Sequence, residues 1–256
     1  MLVMAVANQK GGVGKTTCCV NLSAELGRIG IRTLVVDADP QGNSSSALGI
    51  DRNALDCSVY DVIAGDLSAS EAIVATPWEN VFLLPATLDL AGAEVELAGA
   101  MSRESRLRRK MSDLKGYDLV LIDCPPSLGL LTVNALVASD GILVPVQCEY
   151  FALEGLGQLL KTMDLVRSYL REDLSLSGLI MTMFDSRTRL SREVVEEVRR
   201  QFGSLVLETV IPRNVKLSEA PSHGRPIGYY DSVSAGAEAF RELAREVAQR
   251  WLGKRL

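Results

Sequence analysis

Residues 10–17 read Lys-Gly-Gly-Val-Gly-Lys-Thr-Thr and lie between an apolar run at 2–7 and a helix-like segment at 16–29. A strand, a glycine-rich turn and a helix in this order are the context in which such a string predicts a phosphate-binding loop. Glycines let backbone N–H groups turn inward around phosphate oxygens, and the helix N-terminus adds partial positive charge. The stretch therefore predicts a nucleotide site at the end of a strand.

Two side chains of this loop carry the predicted chemistry. Lys15 would reach the β- and γ-phosphates of a nucleotide, and the hydroxyl of Thr16 would hold Mg²⁺. The remaining contacts from the loop to the nucleotide are expected from Lys10, Gly11, Gly12, Val13, Gly14 and Thr17. The bland alternative is a glycine-rich turn with two solvated lysines, and the flanking strand and helix favour the nucleotide site.

The loop departs from the ordinary pattern G-x-x-x-x-G-K-[ST] in one respect. The first glycine of that pattern should stand at position 9, where this sequence has Gln9, and a second lysine, Lys10, follows it. The departure places an additional cation at the mouth of the loop, beside the nucleotide lysine.

Composition limits the classes of protein that fit. The chain has 256 residues, of which 47% are hydrophobic and 23% charged, as expected for a globular protein with an ample core. Its net charge is −5, so a contact with nucleic acid must come from a local basic patch. No apolar run approaches the roughly 20 residues of a membrane span, and no signal peptide precedes the loop. We expect a cytoplasmic protein.

Cysteine usage agrees with that compartment. The five cysteines are odd in number, lack C-x-x-C spacing and are accompanied by a single histidine, His223. This pattern indicates reduced thiols and makes metal ligation by cysteine and histidine improbable. Mg²⁺ held by oxygen ligands is the metal that we expect.

Acidic residues follow two further predicted strands. A β-branched run at 31–36 leads into Asp37-Ala-Asp39, and the run Tyr-Asp-Leu-Val-Leu-Ile at 117–122 closes on Asp123. Carboxylates at i and i+2 of an extended segment point the same way, and open α/β sheets bind ligands at the carboxyl ends of their strands. Asp123 fits a metal-binding acid of the Walker B type, and Asp37 and Asp39 can orient metal-bound and attacking water. A polar turn is the structural alternative for the Asp37–Asp39 pair.

The order of predicted elements is βαβα, repeated along the chain. It favours an α/β fold with a mainly parallel, doubly wound sheet and helices on both faces. No internal repeat or Pro/Ser-rich linker interrupts residues 1–256, so one P-loop nucleotide-binding domain is the economical interpretation. The loop at 124–129, Cys-Pro-Pro-Ser-Leu-Gly, is either a switch that senses the γ-phosphate or a rigid turn.

Three stretches together resemble the ParA/Soj family of P-loop ATPases. They are the second lysine of the loop, the string Asp-Ala-Asp-Pro-Gln-Gly-Asn at 37–43, and Val-Lys-Leu-Ser-Glu-Ala-Pro-Ser-His-Gly-Arg-Pro-Ile at 215–227. The resemblance implies that Lys10 crosses a dimer interface to the ATP of a second subunit. It also implies that Asp39 positions the attacking water and that Asp37 belongs to the Mg²⁺ surroundings. The cofactors implied are ATP and Mg²⁺.

The same resemblance implies further contacts and partners. Pro212, Arg213 and Asn214 are similar to the adenine-recognition corner of this family. The expected activity is an ATP-driven cycle of sandwich dimerisation and non-specific double-stranded DNA binding that partitions chromosomes or plasmids, with a ParB/Spo0J-type protein stimulating hydrolysis. The ATP-bound dimer is expected on the nucleoid. From the short lead before the loop, we expect no N-terminal helix-turn-helix extension.

Candidate DNA contacts are basic residues of the C-terminal part. By resemblance, the matching positions are Arg187 and Lys216, and three neighbours could extend the patch: Arg189, Arg192 and Arg225. Contacts from lysine and arginine to phosphate suffice for non-specific binding, which salt weakens steeply. Each of these side chains could instead be an ordinary solvated surface residue.

Two other classes compete with this interpretation. A MinD-like membrane-cycling ATPase ends in an amphipathic helix, and this chain ends in a helix-like segment with a basic, apolar tail at 251–256. The apolar stripe of this C-terminal segment continues the preceding helix without a flexible linker. This favours a helix packed on the core and no stable membrane association. Nitrogenase iron proteins share the loop with a second lysine, but they need dedicated cysteines for an iron–sulfur cluster. Cys124 and Cys148 do not stand in a matching cysteine motif.

Overall fold

One eight-stranded sheet organises the chain. The computed structural model describes residues 1–150 and 152–254, with the side chains of 152–154 left out. The strand order is β3-β4-β2-β5-β1-β6-β7-β8. The strands are β1 (Leu2–Val6), β2 (Thr33–Asp37), β3 (Val74–Ala75), β4 (Val81–Leu84), β5 (Leu119–Asp123), β6 (Gly141–Gln147), β7 (Ser175–Phe184) and β8 (Val206–Pro212).

Helices connect and cover these strands. They are α1 (Lys15–Arg28), α2 (Asn43–Ala47), α3 (Val59–Ile63), α4 (Ala69–Ala72), α5 (Leu90–Glu96), α6 (Arg106–Lys110), α7 (Leu130–Ala138), α8 (Ala152–Tyr169), α9 (Arg189–Phe202), α10 (Val215–Glu219), α11 (Ile227–Tyr230) and α12 (Ala235–Trp251). One buried cluster joins the sheet to α3–α9, and a second joins its other face to α1, α2 and α10–α12. The predicted single, doubly wound domain with helices on both faces is confirmed.

The central strands are apolar because both of their faces are covered. In β5, Val120 and Ile122 belong to one buried cluster, whereas Leu119 and Leu121 belong to the other. Side chains alternate between the two faces of a strand, so a strand covered on both sides must be apolar at successive positions. Among the described strands, every pairing is parallel except that of β3 with β4, as the prediction of a mainly parallel sheet requires.

The register of β5 sets the site. It lies between β1 and β2, with Asp123 opposite both Val6 and Asp37. The carboxyl ends of three parallel strands, and the loops that follow them, therefore meet at one edge of the sheet. The predicted phosphate loop and both predicted acidic motifs are brought together there.

The C-terminal helix packs on the core. In α12, four residues at helical spacing are buried against α1 and β8: Phe240, Leu243, Ala244 and Val247. The prediction of a packed closing helix is confirmed for these residues, and the last two positions of the tail, 255 and 256, lie outside the described residues. Across residues 1–150 and 152–254, no helix has both the length and the apolarity that a membrane crossing requires.

Element boundaries differ from the prediction where turn chemistry intervenes. The sequence pattern predicts a helix over residues 191–202, but the helix begins two residues earlier, because the hydroxyl of Thr188 accepts a hydrogen bond from the Ser191 N–H and caps it. The sequence also predicts a strand over residues 204–211, but the strand begins at Val206, since residues 203–205 form a 3₁₀ turn. Gly203, with φ of +52°, opens that turn in a conformation that favours glycine.

Candidate functional site

The phosphate loop turns on two glycines. The chain leaves β1 at Val6 and enters α1 at Lys15, and in between Gly12 and Gly14 have φ of +74° and +95°. These values lie in the left-handed region, which side chains other than hydrogen rarely allow. Gly14 is also the N-cap residue of α1. Because it has no side chain, it cannot accept hydrogen bonds from the first N–H groups of the helix. Those donors and the positive end of the helix dipole face the loop.

Two side chains fix the loop to the rest of the sheet. Asn8, almost fully buried, donates a 2.8 Å hydrogen bond to the carbonyl of Pro145 and accepts one from the N–H of Lys10. The hydroxyl of Thr182, on β7, donates to the carbonyl of Val13 at 2.9 Å. The loop is therefore held at both ends before any nucleotide enters.

The two lysines of the loop have different environments. Lys15 is 7% exposed, and its Nζ donates to the carbonyl of Lys10 at 3.2 Å. Burial lowers the pKa of Lys15, while the negative charges of Asp123 and nearby groups oppose that shift. The side chain of Lys10 is about a third exposed, and its Nζ lies 3.8 Å from Oε2 of Glu149. Lys15 is thus aimed into its own loop, whereas Lys10 lies at the surface.

Asp123 is the most constrained acid. Its Oδ2 accepts hydrogen bonds from the hydroxyls of Thr16 (2.8 Å) and Ser44 (2.7 Å). Its Oδ1 is buried without a hydrogen-bond donor among the described residues. Burial raises the pKa of Asp123 to about 6, which the two hydroxyls partly oppose. An unpaired buried carboxylate oxygen beside a threonine hydroxyl is the donor set that a hard cation prefers, so these residues fit Mg²⁺.

Asp37 and Asp39 lie at different depths. Asp37 is fully buried, and its Oδ2 accepts from the N–H and the hydroxyl of Ser45 at 2.8 and 2.7 Å. Burial, followed by the charge of Asp123, raises the pKa of Asp37. Asp39 lines the phosphate cavity, and its Oδ1 accepts from the N–H of Gln41 at 2.9 Å. Of the predicted pair, Asp39 borders the space where a phosphate would lie, and Asp37 supports the loop behind it.

Two adjoining cavities follow the loop. The phosphate cavity, of about 330 Å³, is lined by Gly11, Gly12, Gly14, Lys15, Thr16, Thr17, Asp39, Gln41, Asn43, Pro126 and Met183. The second, of about 300 Å³, is lined by Gly14, Thr17, Cys18, Thr182, Met183, Ile211, Pro212, Arg213, Asn214, Leu217, Ser218, Pro221 and Phe240. They share Gly14, Thr17 and Met183, so together they form one elongated site with a polar end and a more apolar end, as a nucleotide requires.

The predicted base-recognition corner lies in the second cavity. The N–H of Arg213 donates to the carbonyl of Phe184, which ties the end of β8 to the end of β7. The guanidinium of Arg213 donates to Oε1 of Glu149 at 3.0 Å. Asn214 uses its Oδ1 to cap α10 through the N–H of Lys216, which leaves its amide NH₂ as the group that can donate to a base.

Several residues of the site escape sequence analysis. Ser44 and Ser45 bind Asp123 and Asp37, and their only sequence signal is their place directly after the Asp37–Asn43 string. Met183 lines both cavities with φ of +53°, a conformation that no local pattern announces. Glu149 contacts both Lys10 and Arg213 from a connector between β6 and α8. The resemblance to the ParA/Soj family implies that this connector, at 147–155, lies at a dimer interface, and its residue 151 lies outside the described residues.

The five candidate DNA-binding side chains are exposed on the loops and helices that follow β7 and β8. Arg187, Arg189 and Arg192 lie at or before the start of α9, whereas Lys216 is on α10 and Arg225 precedes α11. The N–H of Arg213 bonds to Phe184, so the two groups of cations follow neighbouring strand ends. Their role stays a prediction.

The loop, the buried acids and the two cavities define a P-loop nucleotide site, and comparisons with known proteins specify the class. A family model described as an AAA domain matches residues 1–176. The sporulation initiation inhibitor protein Soj of Bacillus subtilis is 56% identical over 247 residues, covering 96% of this chain and 98% of that protein. The chromosome-partitioning ATPase Soj of Treponema pallidum is 51% identical over 248 residues, covering 96% and 97%.

A solved structure shows the same architecture. Cobyrinic acid a,c-diamide synthase from Mycobacterium smegmatis, with bound ATP analog and magnesium, matches with a TM-score of 0.86 at 43% identity, covering 100% of this chain and 97% of that one. The chain belongs to the Soj/ParA family of chromosome-partitioning P-loop ATPases. It is an ATPase, and its cofactors are ATP and Mg²⁺, so both predictions are confirmed.

Proposed function

We propose that this ATPase binds Mg·ATP as a monomer, dimerises face to face around two nucleotides, and then binds double-stranded DNA without sequence preference. The observation that carries the proposal is the difference between the two loop lysines. Lys15 is buried and directed at its own loop, whereas Lys10 is a surface cation beside the same cavity. A second copy of the chain can therefore receive Lys10 without disturbing the nucleotide lysine.

Hydrolysis in this proposal is attack of water on the γ-phosphate. Asp39, at the wall of the phosphate cavity, holds that water, and Lys15 with the N–H groups of residues 11–16 neutralises the developing charge. Thr16 and Asp123 would hold Mg²⁺, which supplies charge neutralisation at the phosphates when bound. Among the described residues, no side chain at the cavity resembles a strong general base for water, so turnover by the protein alone is slow.

The cycle serves DNA partitioning. The patch formed by Arg187, Arg189, Arg192, Lys216 and Arg225 holds DNA phosphates while ATP is bound, and hydrolysis releases both dimer and DNA. A ParB/Spo0J-type partner accelerates hydrolysis, as the family names suggest. The protein is cytoplasmic, and its ATP-bound dimer is on the nucleoid. This assignment is preferred to MinD-like membrane cycling because the C-terminal apolar stripe is used in the core.

A binding experiment with the Asp39→Ala variant tests the proposal. Loss of the water-holding carboxylate is expected to slow hydrolysis by about 100-fold and to accumulate the ATP-bound dimer. Binding to a random duplex and to anionic liposomes is measured with ATP and with ADP across a salt series. ATP-dependent, salt-sensitive DNA binding without liposome association supports the proposal. Liposome binding with no affinity for DNA would establish membrane cycling instead, and normal turnover would show that Asp39 lacks the assigned role.

A further inference from the structure

Most cations of the proposed DNA patch already have an anionic partner in the same chain. Arg187 forms a two-point contact with Asp185, with Nε to Oδ1 at 2.9 Å and Nη2 to Oδ2 at 2.7 Å. Lys216 donates from Nζ to Oε2 of Glu219 at 2.8 Å. Arg189 contacts Glu193 in the same way, with Nε to Oε1 at 2.6 Å. The patch is therefore much closer to neutral than its basic residues alone indicate.

Asp185 is held in place beneath its arginine. Its side chain is 19% exposed and that of Arg187 is 84% exposed, so the carboxylate lies below the guanidinium. Oδ1 also accepts the backbone N–H of Arg187 at 3.0 Å. These hydrogen bonds hold the pKa of Asp185 down at about 2, so the carboxylate stays ionised across the physiological range. The two guanidinium donors that bind Asp185 are the same donors that would form a bidentate contact with a phosphate.

Glu219 is held in the same manner. Its Oε2 accepts both from Lys216 and from the hydroxyl of Tyr230 at 3.0 Å, and the ring of His223 stacks on Tyr230 with centroids 5.0 Å apart. The hydrogen bond from Lys216 lowers the pKa of Glu219, and the same contact raises the pKa of Lys216. The pair is thus ionised on both sides, and Tyr230 keeps the carboxylate beside the lysine.

We propose that DNA binding proceeds by partner exchange, in which phosphates replace Asp185 and Glu219 as the partners of Arg187 and Lys216. The inference rests on the proposed DNA-binding function and deepens it. The two carboxylates limit the affinity of the patch for DNA. They compete for the same donors as the phosphates, and their negative charges repel the duplex.

In an alternative role, the carboxylates would help DNA binding by holding the cations in a binding geometry. Ion pairs between exposed side chains contribute little, because two long side chains lose freedom and solvent screens their charges. Their ordering effect is therefore smaller than the effect of one added net charge beside a polyanion, since each neutralised phosphate contributes to binding by counterion release. Removing either carboxylate is expected to tighten DNA binding.

This exchange also affects the dependence on nucleotide. A single subunit offers cations that are already paired, so its affinity for DNA is low. A dimer presents two such patches to one duplex, and the combined exchange becomes favourable. Without the carboxylates, the monomer is expected to bind DNA as well, and the difference between the ATP and ADP states becomes smaller.

Fluorescence anisotropy of a labelled random-sequence duplex tests the proposal on the full chain. The variants are Glu219→Gln and Asp185→Asn, whose amides keep the shape and one acceptor oxygen but remove the negative charge and replace the second acceptor oxygen with an NH₂ donor. Glu172→Gln is the charge-matched control, because Glu172 is exposed in the turn before β7, at the amino end of that strand, whereas the proposed patch follows the carboxyl ends of β7 and β8. Titrations are run with ADP and with a non-hydrolysable ATP analogue between low and moderate salt.

Each of the two variants is expected to bind about 3–10-fold more tightly than wild type at 0.1 M salt, and the control less than about twofold more tightly. Glu219→Asp, which keeps the charge, is expected to restore wild-type affinity. Adding Lys216→Gln to Glu219→Gln is expected to abolish the gain, which a general change in folding would not do. If wild type binds DNA but both variants bind it no more tightly than wild type does, the partner exchange is wrong while the DNA-binding function stands. If wild type and variants all fail to bind at low salt, the DNA-binding function itself is wrong.

Discussion

The hydroxyl of Thr16 donates a 2.8 Å hydrogen bond to Oδ2 of Asp123, joining the first turn of α1 to the end of β5 across 107 positions of sequence. The same oxygen accepts from Ser44, so the carboxylate is oriented by two hydroxyls while its Oδ1 remains buried and unpaired among the described residues. The contact aligns an oxygen pair for a hard cation at the start of the phosphate-binding helix.

Removing the Thr16 hydroxyl should weaken the binding of Mg·ATP more than that of ATP alone. Thr16→Val keeps the shape of the side chain and is expected to lower affinity for Mg·ATP by about 10–100-fold. Calorimetric titration with Mg²⁺ or with a chelator measures the difference. Thr16→Ser keeps the hydroxyl and is the matched control. Equal loss with and without Mg²⁺ would mean that Thr16 serves the loop rather than the metal.

Replacing each of the two loop lysines should remove a different function. Lys10 is at the surface beside Glu149, so Lys10→Ala is expected to bind ATP close to wild type but to remain monomeric. Lys15 is buried in the loop, so Lys15→Ala is expected to lose ATP binding itself. Fluorescent nucleotide binding and light scattering with a non-hydrolysable analogue separate the two effects. A Lys10→Ala protein that dimerises normally would remove the assigned role of that lysine.

The backbone conformation at position 183 should accommodate glycine better than isoleucine. Its φ of +53° is left-handed, which costs a β-branched residue about 1–2 kcal/mol in the free energy of unfolding. Met183→Ile is therefore expected to lower both stability in urea and nucleotide affinity. Met183→Gly is expected to fold with at least wild-type stability while losing the side chain that lines both cavities. Equal stability of the two variants would show that the conformation at this position is not restrictive.

The buried carboxylate of Glu25, on α1, should make stability depend on pH. Burial raises the pKa of Glu25, although Arg28 at 3.5 Å opposes that shift. A carboxyl group with a raised pKa in the folded state costs stability as the pH rises through that pKa, because the unfolded chain ionises more easily. Glu25→Gln removes this cost and is expected to raise the Tm by about 2 °C at pH 7.5.

The same variant should lose its advantage in acid. Near pH 4, where the wild-type carboxyl is largely protonated in both states, the two proteins are expected to melt together. Thermal melts across pH 4–8 measure the trend, and Glu238→Gln, at the start of α12, serves as a control on the same face of the sheet. A variant that is less stable than wild type at pH 7.5 would show that the Arg28 pair outweighs burial.

Much of the fold could be predicted because its signals are local. The strand before residues 10–17, the glycines within them and the helix after them each impose their conformation through backbone sterics and hydrogen bonding. The β-branched run at 31–36 similarly indicates a strand, and the apolar residues before Asp123 indicate a strand covered on both faces. By contrast, β3 has only two residues and no periodicity, and its pairing with β4 depends on the sheet edge already being present.

The candidate site divides in the same way. Sequence alone determined that a phosphate loop with a second lysine is followed by two acid motifs, and that this order belongs to a parallel α/β ATPase. Tertiary structure alone decided that β5 lies between β1 and β2, that Ser44 and Ser45 bind the two buried acids, and that Glu149 contacts both Lys10 and Arg213. The physical reason is range: loop and strand conformations follow from neighbouring residues, whereas the partners of a buried carboxylate depend on which distant strands pair beside it.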